Sequence, residues 1–154
     1  MLKIDKKISV TISLVLTTLC FLGFLFMVGY MPSFVGWLFE ITPDASGIGD
    51  TGRSVALAEA YVMLALALAG DTTLFFLLQA VRKGEVFTDK AVAMIRLISW
   101  CLIAIGVIFF TMFKFFPRIP FIGAIFVFFG IAVRVVKNVI EEATAIKNEN
   151  DLTV

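Results

Sequence analysis

The chain has 154 residues, a mean hydropathy of +1.02, 60% hydrophobic residues and 16% charged residues. A soluble domain is about half apolar and about a quarter charged, so this excess is too large for one buried core. A net charge of +1 gives no basic field for nucleic acid, so no direct nucleic-acid binding is expected, and the absence of His removes imidazole bases and His metal ligands.

The first apolar block is uncharged from Ile8 to Phe39, longer than the roughly 20 residues that one span needs. It is too long for a signal-peptide core, so it reads as a retained span over about residues 8–31. Pro32 is expected to end or kink the helix, leaving SFVGWLF as an interfacial segment with Trp37 at headgroup level. The loop ITPDASGIGDTGR then carries Pro, Gly, Ser and Asp and no catalytic pattern.

The second span covers about residues 55–81 and contains Glu59 and Asp71. Asp71 lies near mid-span, where a charge costs about 2.5–3.5 kcal/mol on insertion scales. It is expected to be protonated, or hydrogen-bonded to hydroxyls such as Thr17, Thr18, Thr72 or Thr73. It reads either as an anchor between helices or as a proton or cation relay on a transport path. Glu59 is twelve residues away, so the two carboxylates do not share a helix face and are not read as an acid/base pair. Ala65, Ala69 and Gly70 form a small-residue strip suited to close packing, within the bundle or in a homo-oligomer.

The third span covers about residues 91–113 and the fourth about 118–138, with KFFPRIP as a tight turn between them. Their many Phe are read as lipid-facing bulk or core filler. Beyond Arg134, the residues Val135, Val136, Val139, Ile140, Ala143 and Ile146 recur at helical spacing. The fourth helix should therefore run on as a cytoplasmic tail over about 139–148, with Val86 and Phe87 covering its stripe. Glu141 and Glu142 are expected to pair with Arg82 or Lys83.

Basic residues set the orientation. With the N-terminus inside, ten of the 13 Lys and Arg face the cytoplasm, and Arg53, Lys114 and Arg118 face out. The expected fold class is an all-α, integral-membrane four-helix bundle with the fourth helix extended into the cytoplasm, multi-pass, with both termini cytoplasmic. The lipid bilayer is its first partner.

Between spans two and three lies KGEVFTDKAVAMIR. Gly84 suits a left-handed helix end, and Arg82 and Lys83 suit the negative pole of that helix. Thr88 suits an N-cap, with Asp89 at the positive pole of the next helix. Val86 and Phe87 precede the cap and are expected to pack back on the helical pair. Such a turn serves either as a plain helical hairpin or as a docking surface. The tail Glu149, Asn150, Asp151, Leu152, Thr153 and Val154 reads either as a disordered end or as a strand-like peptide that docks on a partner.

These two stretches resemble the signature regions of bacterial membrane proteins grouped as domain of unknown function 2975. The matching positions are Gly84, Val86, Phe87 and Thr88, then Glu149 to Val154, and the resemblance covers the chain from about Gly70 onward. It implies four transmembrane helices and no assigned enzyme activity. Members of that family are often encoded beside a small helix-turn-helix regulator, which implies a membrane protein that controls a DNA-binding partner. Val86, Phe87, Thr88 and residues 149–154 would then be the docking residues.

No nucleotide-binding glycine loop or Ser/His/Asp arrangement occurs, and Cys20 and Cys101 lack CxxC spacing. The chain is accordingly expected to be no enzyme, with no catalytic residue, cofactor or metal. The leading reading is a regulator or sensor. The alternatives are a small transporter or resistance or immunity protein using Asp71, and a structural subunit of a membrane complex.

Overall fold

In a computed structural model, residues 6–42, 49–117 and 119–152 are described. Four helices follow in order: α1 (Lys6–Ile41), α2 (Asp50–Lys83), α3 (Asp89–Thr111) and α4 (Pro120–Leu152), with a 3-10 turn at Met112–Lys114. All four are long and apolar enough to cross a membrane. The expectations at Thr153 and Val154, most of the loop after α1, and Arg118 lie outside the described residues.

The outer surface is apolar. Leu16, Leu19, Phe26, Phe121, Phe128 and many similar side chains are exposed, which a water-soluble bundle would not tolerate and a lipid-facing one requires. Packing follows chain order. α1 packs on α2, α2 on α3 and α3 on α4, while α1 and α4 make no comparable contact. α3 is thus the central helix, with 33% of its most apolar window buried against 6% for α1 and α2. Arg96 and Lys114 stand eighteen residues apart, about 27 Å along a helix, close to the ~30 Å hydrocarbon core.

α1 does not end at Pro32, which lies inside a single helix of 36 residues. A proline within a helix frees the carbonyl four residues earlier, here that of Val28. The Tyr61 hydroxyl of α2 donates to the Val28 carbonyl oxygen at 3.1 Å. A neighbouring helix therefore satisfies the group that proline releases, which is what allows proline inside a membrane helix.

The tightest seam joins α3 and α4. Ser99 and Gly106 are seven residues apart on α3, as are Gly123 and Gly130 on α4. Running antiparallel, Ser99 meets Gly130 and Gly106 meets Gly123. The Ser99 hydroxyl donates to the Gly130 carbonyl at 2.9 Å and is buried. A methyl group placed on Gly106 would lie 2.8 Å from the Gly123 carbonyl oxygen and 2.9 Å from the Val127 nitrogen. Small residues at heptad spacing let the backbones approach this closely. The Ala65/Ala69/Gly70 strip is used differently within the chain. Gly70 faces Cys101 of α3 within the same chain, and Ala65 and Ala69 are exposed.

Candidate functional site

Three features carry chemistry: the turn between α2 and α3 with the end of α4, the carboxylates of α2, and a cavity between the helices.

The turn is built by backbone hydrogen bonds. Gly84 has φ 84° and ψ 7°, a left-handed conformation that a side chain would strain. Its N–H donates to Val81 O at 3.1 Å, and the Glu85 N–H donates to Ala80 O at 2.9 Å, closing a Schellman motif. At the other side the Ala91 N–H donates to the Thr88 hydroxyl oxygen at 3.2 Å, so Thr88 caps α3 as its sequence position indicates. Thr88 itself is half-buried, and Val86 is half-buried too. Phe87 is 45% exposed between these two fixed ends, so its ring is only partly covered.

The stripe read along the end of α4 divides into two faces. Lys137, Ile140, Ala143 and Thr144 are half-buried or buried, while Val135, Val136, Val139 and Ile146 are exposed. The inward face thus runs through Gly130, Val133, Lys137, Ile140 and Thr144 at intervals of three and four residues, the spacing of one helix face. Glu141 does not pair with Arg82 or Lys83. It accepts from Arg96 at 3.0 Å and from Lys137 one turn earlier. Arg96 and Glu141 are each about half exposed, so the pair fixes geometry more than it adds stability. Glu149 and Asn150 are exposed on the last turns of α4, and Asp151 and Leu152 close it as helix rather than strand. Arg134 lies over the Trp100 ring at 4.7 Å, an amphipathic pair of the kind found at membrane interfaces.

Asp71 and Glu59 face different neighbours, as their spacing requires. Glu59 Oε1 lies 3.2 Å from the Thr111 hydroxyl of α3. Asp71 lines a cavity of about 200 Å³ between α1 and α2 with Thr17, Thr18, Phe21, Thr72 and Phe75. The expected hydroxyl partners do not donate to it. Thr17 donates to Ser13 O at 2.8 Å, Thr18 to Leu14 O at 2.9 Å, Thr72 to Leu68 O at 2.7 Å and Thr73 to Ala69 O at 2.7 Å. In apolar surroundings each hydroxyl spends its single proton on its own helix, one turn back. Asp71 Oδ2 is buried and has no hydrogen-bond partner among the described residues.

A larger cavity of about 550 Å³ lies between the helices toward the end opposite Phe87. α1 contributes Phe24, Met27, Met31 and Phe34, α2 contributes Ala60 and Met63, and α3 and α4 contribute Ile105, Phe109 and Phe126 among others. At that end Phe39, Phe115 and Phe116 form a buried aromatic cap with Ala56. The Phe39 ring lies 4.9 Å from Phe116 and 6.4 Å from Phe115. Arg53 lies 5.6 Å from the Phe39 ring centre and Lys114 4.9 Å from that of Phe115. Neither cavity nor cap was legible beforehand, since their parts lie far apart in sequence and each reads locally as ordinary apolar span.

No curated protein matches this chain, and no solved structure does. A family model described as a protein of unknown function, DUF2975, matches residues 5–154. The match takes in α1 and the first half of α2 as well as the region from Gly70 onward. With four helices long and apolar enough to span a bilayer and a family match over nearly its whole length, this chain belongs to the DUF2975 family of membrane proteins.

Proposed function

We propose that the chain is a non-enzymatic regulator or sensor of the bacterial inner membrane that holds a small cytosolic helix-turn-helix protein. The observation that carries this reading is Phe87. A large apolar ring is 45% exposed, on a turn fixed on one side by the Gly84 motif and on the other by the Thr88 cap. A rigid aromatic anchor loses little conformational entropy on binding, which is the property of interface hot spots. The surrounding charge supports a cytoplasmic placement. Arg82, Lys83, Lys90, Arg96, Lys137 and Lys147 gather at this end of the helices, as the positive-inside rule requires of a cytoplasmic face. The end of α4, through Glu149, Asn150, Asp151 and Leu152, would supply the second element of the docking face. The partner class comes from the family resemblance.

Affinity purification from the native membrane in mild detergent tests this. The full chain is expected to bring down one small DNA-binding protein. Phe87→Ala and a chain stopped after Asn148 are each expected to reduce its recovery at least tenfold. Equal recovery by all three proteins, or none by the full chain, overturns the reading.

A second reading rests on Asp71. Its unpartnered oxygen beside a cavity that threonines help to line supports a proton or cation relay, since ionisable groups inside spans are rare and mark ion or proton paths. On that reading Asp71→Asn abolishes proton-driven flux in proteoliposomes while helical content and melting temperature stay unchanged. Unaltered flux overturns it.

A further inference from the structure

We propose that the 550 Å³ cavity is a phospholipid site that takes one acyl chain, with the lipid phosphate held at Arg53 and Lys114. The lining is made of Phe, Met, Leu, Ile, Val and Ala side chains only. No hydroxyl, amide or charged side chain reaches it, so a sugar, nucleotide or peptide inside would leave its polar groups unpaired. Water gains too few partners there to fill it. The volume falls within the roughly 300–1,000 Å³ of sites that bind small molecules. Four of the six methionines, Met27, Met31, Met63 and Met112, line it. Their unbranched, flexible side chains suit a ligand without fixed shape, as a hydrocarbon chain is.

Access and orientation come from the packing order. α1 and α4 both border the cavity, yet they do not pack on one another along their length. The gap between them faces the hydrocarbon of the bilayer, where acyl chains are the solvent. Ala56 and Phe116 belong both to the cavity wall and to the aromatic cap, which places the cap at that end of the cavity. On that cap sit two exposed cations, Arg53 and Lys114, each over an aromatic ring and neither paired with a carboxylate among the described residues. A hydrocarbon slot below and two cations above match the two ends of one phospholipid. This inference does not depend on a cytosolic partner, since the turn at Phe87 lies at the other end of the helices.

The test is native mass spectrometry of the full chain in mild detergent after incubation with dioleoyl-phosphatidylglycerol. One retained lipid per chain is expected. Ala60→Phe fills the cavity and is expected to abolish retention. The double change Arg53→Gln and Lys114→Gln, at exposed positions, is expected to lower retention at least fivefold with an unchanged melting temperature. No retention by the unaltered chain, or equal retention by Ala60→Phe in folded form, overturns the site. Equal retention of dioleoyl-glycerol, which lacks the phosphate, overturns the assignment of Arg53 and Lys114, as does full retention by the double variant.

Discussion

Replacing Gly106 with valine is expected to break the α3–α4 hairpin. A methyl group at Gly106 already lies under 3.0 Å from a backbone oxygen and a backbone nitrogen of α4. Neither atom can turn aside as a flexible side chain would, so the helices must separate. Separation also stretches the buried bond from Ser99 to the Gly130 carbonyl. Overpacking alone costs about 1–3 kcal/mol. The lost bond adds about 0.6 kcal/mol, the mean for such bonds in membranes. Gly130→Val is expected to act alike, since its methyl meets the Ile103 nitrogen and the Ser99 carbonyl oxygen at 3.1 Å. Gly23→Ala and Gly36→Ala provide the contrast. Nothing lies within 4 Å of either position, so alanine should be neutral or add up to about 1 kcal/mol of helix propensity. Unfolding in detergent followed by circular dichroism separates the two groups. Equal midpoints for Gly106→Val and Gly23→Ala would remove the heptad seam from the account.

The pattern of what was legible follows from range. The Schellman turn at Gly84 and the Thr88 cap were readable because each is settled by residues within five positions. The helices were readable because lipid demands long uninterrupted apolar runs, and the sequence has four. Partners across the bundle were not readable, because inside a bilayer both the packed face and the lipid face are apolar, and periodicity then has little contrast. The stripe after Arg134 fails for another reason, since apolar spacing does not say which face a neighbouring helix covers. Its valines face outward, while Lys137 and Thr144 share the packed face. The seam of Ser99, Gly106, Gly123 and Gly130 did leave a signal in its seven-residue spacing. α1 runs on past Pro32 because the donor that serves the freed carbonyl, Tyr61, lies on another helix, out of reach of a local reading. The hydroxyls expected to serve Asp71 have nearer acceptors on their own helices.

Phe39→Ala is expected to release the far end of α1 and cost about 3 kcal/mol, the low end of the range for removing a buried Phe ring. Phe39 is 4% exposed and touches Phe115 and Phe116 in the turn that leads to α4. α1 has no comparable packing on α4 itself, so this clamp is its main tie to the α3–α4 hairpin. The Arg53 guanidinium also loses the ring it lies over. Phe39→Leu keeps bulk without the ring contacts and should cost roughly a third as much. The midpoint of thermal unfolding in mild detergent measures both changes. A second readout ties the clamp to the cavity, because Phe39 packs on Phe116, which lines it. Phe39→Ala should lose bound phosphatidylglycerol along with stability, whereas Gly23→Ala should lose neither. Capture of a cytosolic partner should be unaffected in folded Phe39→Ala protein, since the turn at Phe87 lies at the opposite end of the helices. A Phe39→Ala protein with unchanged midpoint and full lipid retention would show that α1 is held by α2 alone, and the aromatic cap would then have no part in shaping the cavity.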